Sequence, residues 1–241
     1  MMSAAAVTSG IVNSTVGFYQ ATVGKKVVVA VTGVALFGFV IGHMAGNLQV
    51  FAGPEAMNAY GAFLHSKPGL LWGARIGLIL AVVLHIVASV QLALRAKAAR
   101  PVAYRKWKRV QSSYASRTMI WSGPIIAAFV VYHLLHFTVG AAMPWQGAEF
   151  QTQEIHGHSI PKPYENVVAG FSNPVVSIAY IVSMALLCLH LRHGFYSMFQ
   201  TVGLNHPRFT PRLDKISVAF AAAIFLGYVS IPIAVLAGVV R

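Results

Sequence analysis

Acidic residues are almost missing from this chain. Its 241 residues include five: Glu55, Glu149, Glu154, Glu165 and Asp214. Charged residues of both signs reach only 10%, against about 25% in an average soluble domain. That scarcity excludes a water-facing surface over most of the molecule. Cysteine is nearly absent as well. The single Cys188 excludes an internal disulfide, and no CxxCH run offers a site for covalent cofactor attachment. Residues 1–24 contain neither Lys nor Arg, which excludes the charged start of a signal peptide. No internal repeat and no separate soluble domain stands out.

What the chain does have is long apolar runs. Hydrophobic residues make up 57% of it, and a membrane span needs roughly 20 of them in succession. Five segments qualify, at about 27–51, 69–94, 118–143, 173–199 and 215–240, and all five acids fall outside them. Pro54, Pro68, Pro101, Pro144, Pro161, Pro163 and Pro174 punctuate the span ends and connections. The expected fold is an all-α bundle of five transmembrane helices over 27–240, preceded by a segment over 1–26. The net charge of +13 would suggest nucleic acid in a soluble protein. Here its placement gives a different reading. Thirteen Lys and Arg residues flank one side of the expected bundle and four the other, with Arg192 inside a span. The positive-inside rule then puts the N-terminus in the cytoplasm and the C-terminus outside.

Ionisable residues within spans are functional candidates, because burying them in hydrocarbon is costly. Histidine supplies them here: His43 in the first span, His85 in the second, His133 and His136 in the third, His190 and His193 in the fourth. One histidine in a span is as often a packing residue; several on four consecutive spans are not. At helical rise, His43 and His133 lie ~23 Å from the cytoplasmic face, and His85 and His190 ~14 Å from it. Four residues thus form an outer pair and an inner pair. Two imidazoles at one depth can supply both axial ligands of a haem iron without covalent attachment. Gly38, Gly42 and Gly46 around His43, and Gly194 and Ser197 after His190, leave room for a flat macrocycle, although GxxxG spacing also marks close helix packing. His136 and His193 follow His133 and His190 by three residues, so each is the alternative ligand on its own helix face. His193, Lys25, Lys26 and Arg117 lie at the basic end, where haem propionates or lipid headgroups would meet them. His156 and His158 form an HxH in a connection, read as a solvated loop.

The runs GKKVVVAVTGVALFGFVIGHMAGN, LHIVASVQLALRAK, SRTMIWSGPIIAAFVVYHLLHF and LCLHLRHGFYSMFQTVG resemble the cytochrome b membrane subunit of succinate:quinone oxidoreductase, of the five-helix, two-haem type. The likeness covers roughly residues 24–240. It implies two haem b groups, the distal one on His43 and His133 and the proximal one on His85 and His190. It also implies a multi-pass protein of the cytoplasmic (inner) membrane that anchors a flavoprotein subunit and an iron–sulfur subunit. Those partners carry FAD and the iron–sulfur clusters. Electrons from succinate would then pass through the haems to a quinone, often menaquinone, with the dicarboxylate chemistry on a partner chain. The basic connection over 95–117 is a candidate docking surface, and Tyr60 and His65 are candidates for a quinone carbonyl. Some fumarate-reducing relatives carry a glutamate beside the fourth-span ligand; Cys188 and Leu189 stand here instead, which favours succinate oxidation.

Two other classes compete. Another di-haem cytochrome b, the membrane subunit of a formate dehydrogenase or hydrogenase, would share the histidines. A haem-free transporter would use them as a relay, but transport sites favour acids and interrupted helices.

Overall fold

The computed structural model describes residues 17–102, 112–155, 157–204 and 206–241. Most of the 1–26 segment, the middle of the basic 95–117 connection and His156 lie outside the described residues. The rest is all-α apart from one small hairpin.

After a single helical turn over 17–20, the described residues form seven helices in order. They are α1 (Thr22–Asn47), α2 (Pro54–His65), α3 (Pro68–Ala98), α4 (Tyr114–His133), α5 (Pro163–Phe171), α6 (Pro174–Thr201) and α7 (Thr210–Leu236). Five of them are long and apolar enough to cross a membrane, α1 being prolonged by a 3-10 turn to Ala52 and α4 by a π turn over Leu134–Thr138. Proline opens α2, α3, α5 and α6. At that position its missing N–H has no partner to lose and its fixed φ suits the first turn. The outward-facing side chains are apolar: Val31, Ile79, Leu80, Ile120, Trp121 and Leu226 are all exposed. Backbone groups are satisfied within each helix, so hydrocarbon can cover this surface without stranding a polar atom.

Several boundaries differ from those read off the sequence. α3 runs on to Ala98 because Arg95, Ala96, Lys97 and Ala98 are good helix formers and no breaker arrives before Pro101. α7 starts at Thr210 and so takes in Asp214, which lies 3.3 Å from Arg192 of α6. The third span stops at Thr138 instead of 143, since Gly140 with φ 79° turns the chain away.

The helices do not pack evenly. α6 lies along α7, α4 along α6, and α1 along α3, with α1 also touching α6 and α7. α3 packs on α1 and against α2, and makes no comparable contact with α4 or α6 among the described residues. The two ends of the bundle also differ. At the end where α1 finishes, α2 and α5 pack together over the helix tips beside a two-stranded hairpin, β1 (Thr152–Ile155) with β2 (His158–Pro161). His158 of the HxH pair sits in that hairpin. Asn166, 1% exposed, ties the hairpin to α5: its Oδ1 accepts from Gln151 N at 2.7 Å and its Nδ2 donates to Gln151 O at 2.9 Å. The largest buried apolar cluster lies at this capped end and includes Val50, Met57, Phe171, Tyr180 and Ile231. The opposite end carries Lys25, Lys26, Arg95, Lys97, Arg117, Arg208, Arg212 and Lys215. A single helical turn over 17–20 lies there against α3, with Tyr19 bonded to Gln91 and Gln20 to Arg95.

Candidate functional site

His43 of α1 and His133 of α4 face each other with ring centroids 5.7 Å apart and planes nearly perpendicular at 86°. His85 of α3 and His190 of α6 face each other at 6.3 Å. Four helices therefore deliver one imidazole each, in two pairs. A metal bonded to two imidazole nitrogens at about 2 Å, each ring centre about 1 Å further on, separates the ring centres by roughly 6 Å. Both pairs sit at that spacing.

The donor set also suits a porphyrin. No group of three or more His, Cys, Asp or Glu side chains surrounds a common point among the described residues. Two imidazoles alone do not complete a metal cage, but a macrocycle supplies the remaining nitrogens. Gly33 lies against the His85 ring, and a Cβ placed on the exposed Gly38, Gly42 or Gly194 would meet nothing within 4 Å. The glycines at 38 and 42 are therefore not sites of close helix packing. Gly46 is one, its Cα face lying against the Tyr60 ring.

Hydroxyl groups fix the orientation of the rings. Thr32 donates its proton to Val28 O at 2.7 Å, so its lone pair is left to accept from His85 Nδ1 at 3.1 Å. This leaves His85 Nε2 with a free lone pair, the arrangement by which outer-shell partners orient a ligating histidine. Ser122 Oγ stands 3.5 Å from His190 Nδ1 and the Tyr180 hydroxyl 3.4 Å from His133 Nδ1. Beside His43, Phe39 stacks at 5.2 Å, and Tyr228, anchored on Val40 O, lies at 6.3 Å. Thr32, Ser122, Tyr180 and Tyr228 were missed in the sequence. Their only signal there is a hydroxyl inside an apolar span, and its partner is 44 to 188 residues away.

His136 and His133 both reach the Tyr180 hydroxyl. The π turn widens the backbone at this point, and His136 is fully buried at 0% exposure, with Nδ1 at 2.9 Å from the Tyr180 hydroxyl. Its Nε2 presses on α5, where a Cβ on Gly170 would come within 2.7 Å of it. His193 is half-buried on α6. At the basic end Lys25 and Lys26 diverge. Lys26 is exposed, whereas Lys25 is 2% exposed, with Nζ at 2.6 Å from Gln91 Oε1 and 3.8 Å over the Tyr19 ring. A cavity of about 250 Å³ adjoins it, lined by Tyr19, Gln20, Gln91, Leu94 and Arg95. Arg117 donates to Ser112 O at 2.8 Å and stays at the surface. Tyr60 and His65 share α2 at the capped end; His65 Nδ1 is 2.9 Å from Gly61 O of its own helix.

The family model described as the succinate dehydrogenase/fumarate reductase transmembrane subunit matches residues 96–229. The match takes in α4, α5, α6 and most of α7, with His133 and His190, and leaves His43 and His85 outside it. Neither the curated proteins nor the solved structures yielded a match.

Proposed function

The chain belongs to the succinate dehydrogenase/fumarate reductase transmembrane-subunit family, and from that premise we propose that it anchors a succinate:quinone oxidoreductase and is its di-haem cytochrome b. The observation that carries this reading is the pair of facing imidazoles at each of two levels, 5.7 and 6.3 Å apart. His43 and His133 hold one haem and His85 and His190 the other. Bound there, a haem would supply a one-electron couple. Thr32 and Ser122 keep His85 and His190 turned toward the iron. The surrounding helices exclude water, and the glycines at 38, 42 and 194 admit the flat ring.

The basic end faces the cytoplasm, following the excess of Lys and Arg there, in the cytoplasmic (inner) membrane. That end receives the iron–sulfur and flavoprotein subunits, which oxidise succinate and deliver its electrons. Lys25 lies two turns below Thr32 on the same face of α1; with Lys26, Arg117 and His193 it provides partners for propionates. The quinone, menaquinone by this reading, binds toward the capped end near Tyr60 and His65.

The test is reduction of the haems in isolated membranes. Succinate should reduce two b haems per chain. Reduction by formate or hydrogen, with no response to succinate, would assign the chain to a different dehydrogenase.

A further inference from the structure

Tyr180 is a phenol with one proton and two imidazoles to share it between. Its oxygen lies 2.9 Å from His136 Nδ1 and 3.4 Å from His133 Nδ1. Only one of those nitrogens can take the proton; the other must donate to the oxygen. If Tyr180 donates to His133, the remaining proton of that ring sits on Nε2 and closes it to a metal. If Tyr180 donates to His136, it accepts Nδ1–H from His133, and His133 Nε2 is free.

The neighbourhood of His136 bears on which of these holds. Gln146 donates its amide to the Tyr132 hydroxyl at 2.8 Å, so the atom it has left is Oε1, an acceptor. Gln146 Oε1 and His136 Nε2 are both buried without a partner, on neighbouring side chains. An unmatched acceptor beside an unmatched ring nitrogen is satisfied, directly or through one buried water, when that nitrogen carries the proton. His136 protonated on Nε2 has a bare Nδ1, and a bare Nδ1 draws the Tyr180 proton.

We propose that Gln146, His136 and Tyr180 form a directional hydrogen-bond chain that holds His133 in its metal-binding tautomer and tunes the iron it binds. The inference rests on the di-haem reading and goes beyond it, since it assigns positioning roles to three side chains that ligate nothing. Each bond in the chain polarises the next, so the Tyr180 oxygen becomes a stronger acceptor and His133 a more electron-rich ligand. An electron-rich ligand stabilises the oxidised iron and lowers its midpoint potential. Gly170 belongs to the device, because a side chain there would displace His136.

The experiment is potentiometry with haem counting on the intact purified complex. Tyr180→Phe keeps the ring and removes the hydroxyl. It should retain both haems and raise the midpoint potential of one, the haem lost in His43→Ala. His136→Leu should shift the same haem in the same direction by less, and the double variant should move no further than Tyr180→Phe alone. Two haems with unchanged potentials in Tyr180→Phe would overturn the inference and leave the functional reading standing, as would additive shifts in the double variant. If Tyr180→Phe assembles without that haem, His136→Leu decides by the same criterion, since it leaves the phenol in place. A wild-type complex without haem would overturn the functional reading and this inference with it.

Discussion

At the capped end the chain closes over itself, with α2, α5 and the hairpin packed on the helix tips and Asn166 stitching them together. At the basic end the long helices finish in cations, and the described residues set only the turn over 17–20 against α3 there. Each end has a histidine pair nearer to it, and the two pairs are supported differently. His85 and His190 lean on single hydroxyls of Thr32 and Ser122. His133 is bonded to a phenol that a second imidazole also holds. The difference teaches that the capped end is held by buried contacts between elements of this chain, while the described part of the basic end is marked by its cations.

The largest effects that would break this comparison come from the histidines. His43→Ala or His133→Ala should leave one haem per chain, and His85→Ala or His190→Ala should remove the other, counted as the pyridine haemochrome. A single substitution that removed both would mean that the two levels are not independent. His136→Ala should retain both haems. Next in size, Thr32→Val should weaken retention of the haem on His85 by roughly 10- to 100-fold, the usual consequence of losing an outer-shell partner. Haem loss to apomyoglobin measures it, and an equal loss of the other haem would blur the contrast. Smaller again is the cap itself. Asn166→Ala leaves Gln151 N and O without their side-chain partner and should cost about 1–3 kcal/mol, seen as a lower thermal midpoint in detergent with haem content intact. The smallest change belongs to the basic end. The Arg192–Asp214 pair is open to solvent, so Arg192→Gln should alter stability by at most about 1 kcal/mol. A larger effect there would show that the basic end carries more of the fold than its exposure suggests.

The parts of the fold that were legible in the sequence are those written along one dimension. Five apolar runs became five long helices, because length and hydropathy alone decide whether a helix spans a bilayer. Counting residues from a span end gave depth, and depth grouped His43 with His133 and His85 with His190, the groups whose rings the structure brings together. What could not be read depends on rotation and on distant neighbours. Helical spacing put His136 on the face of His133, and both reach Tyr180, but the π turn over Leu134–Thr138 that seats His136 against Gly170 has no mark in the sequence. α2 and α5 are too short and too polar to register as spans. Pro54 and Pro163 marked their starts without revealing that they would pack on each other. The proton direction at Tyr180 depends on Gln146, which lies in a connection that the sequence presents as featureless.

The uneven packing of α3 bears on how the molecule is made. With α1 as its main support and its histidine as its meeting point with α6, α3 belongs to a hairpin that can reach the bilayer before the other three spans are threaded. α1 itself packs on α6 and α7, with Tyr228 bonded to Val40 O and Phe37 stacked on Phe220, so α3 is the span with the least protein holding it in the bundle. Whatever fills the space between α3 and α6 contributes its binding free energy to holding α3 in place, so without it α3 should be the first span to part from the bundle and the first to be cut by proteases.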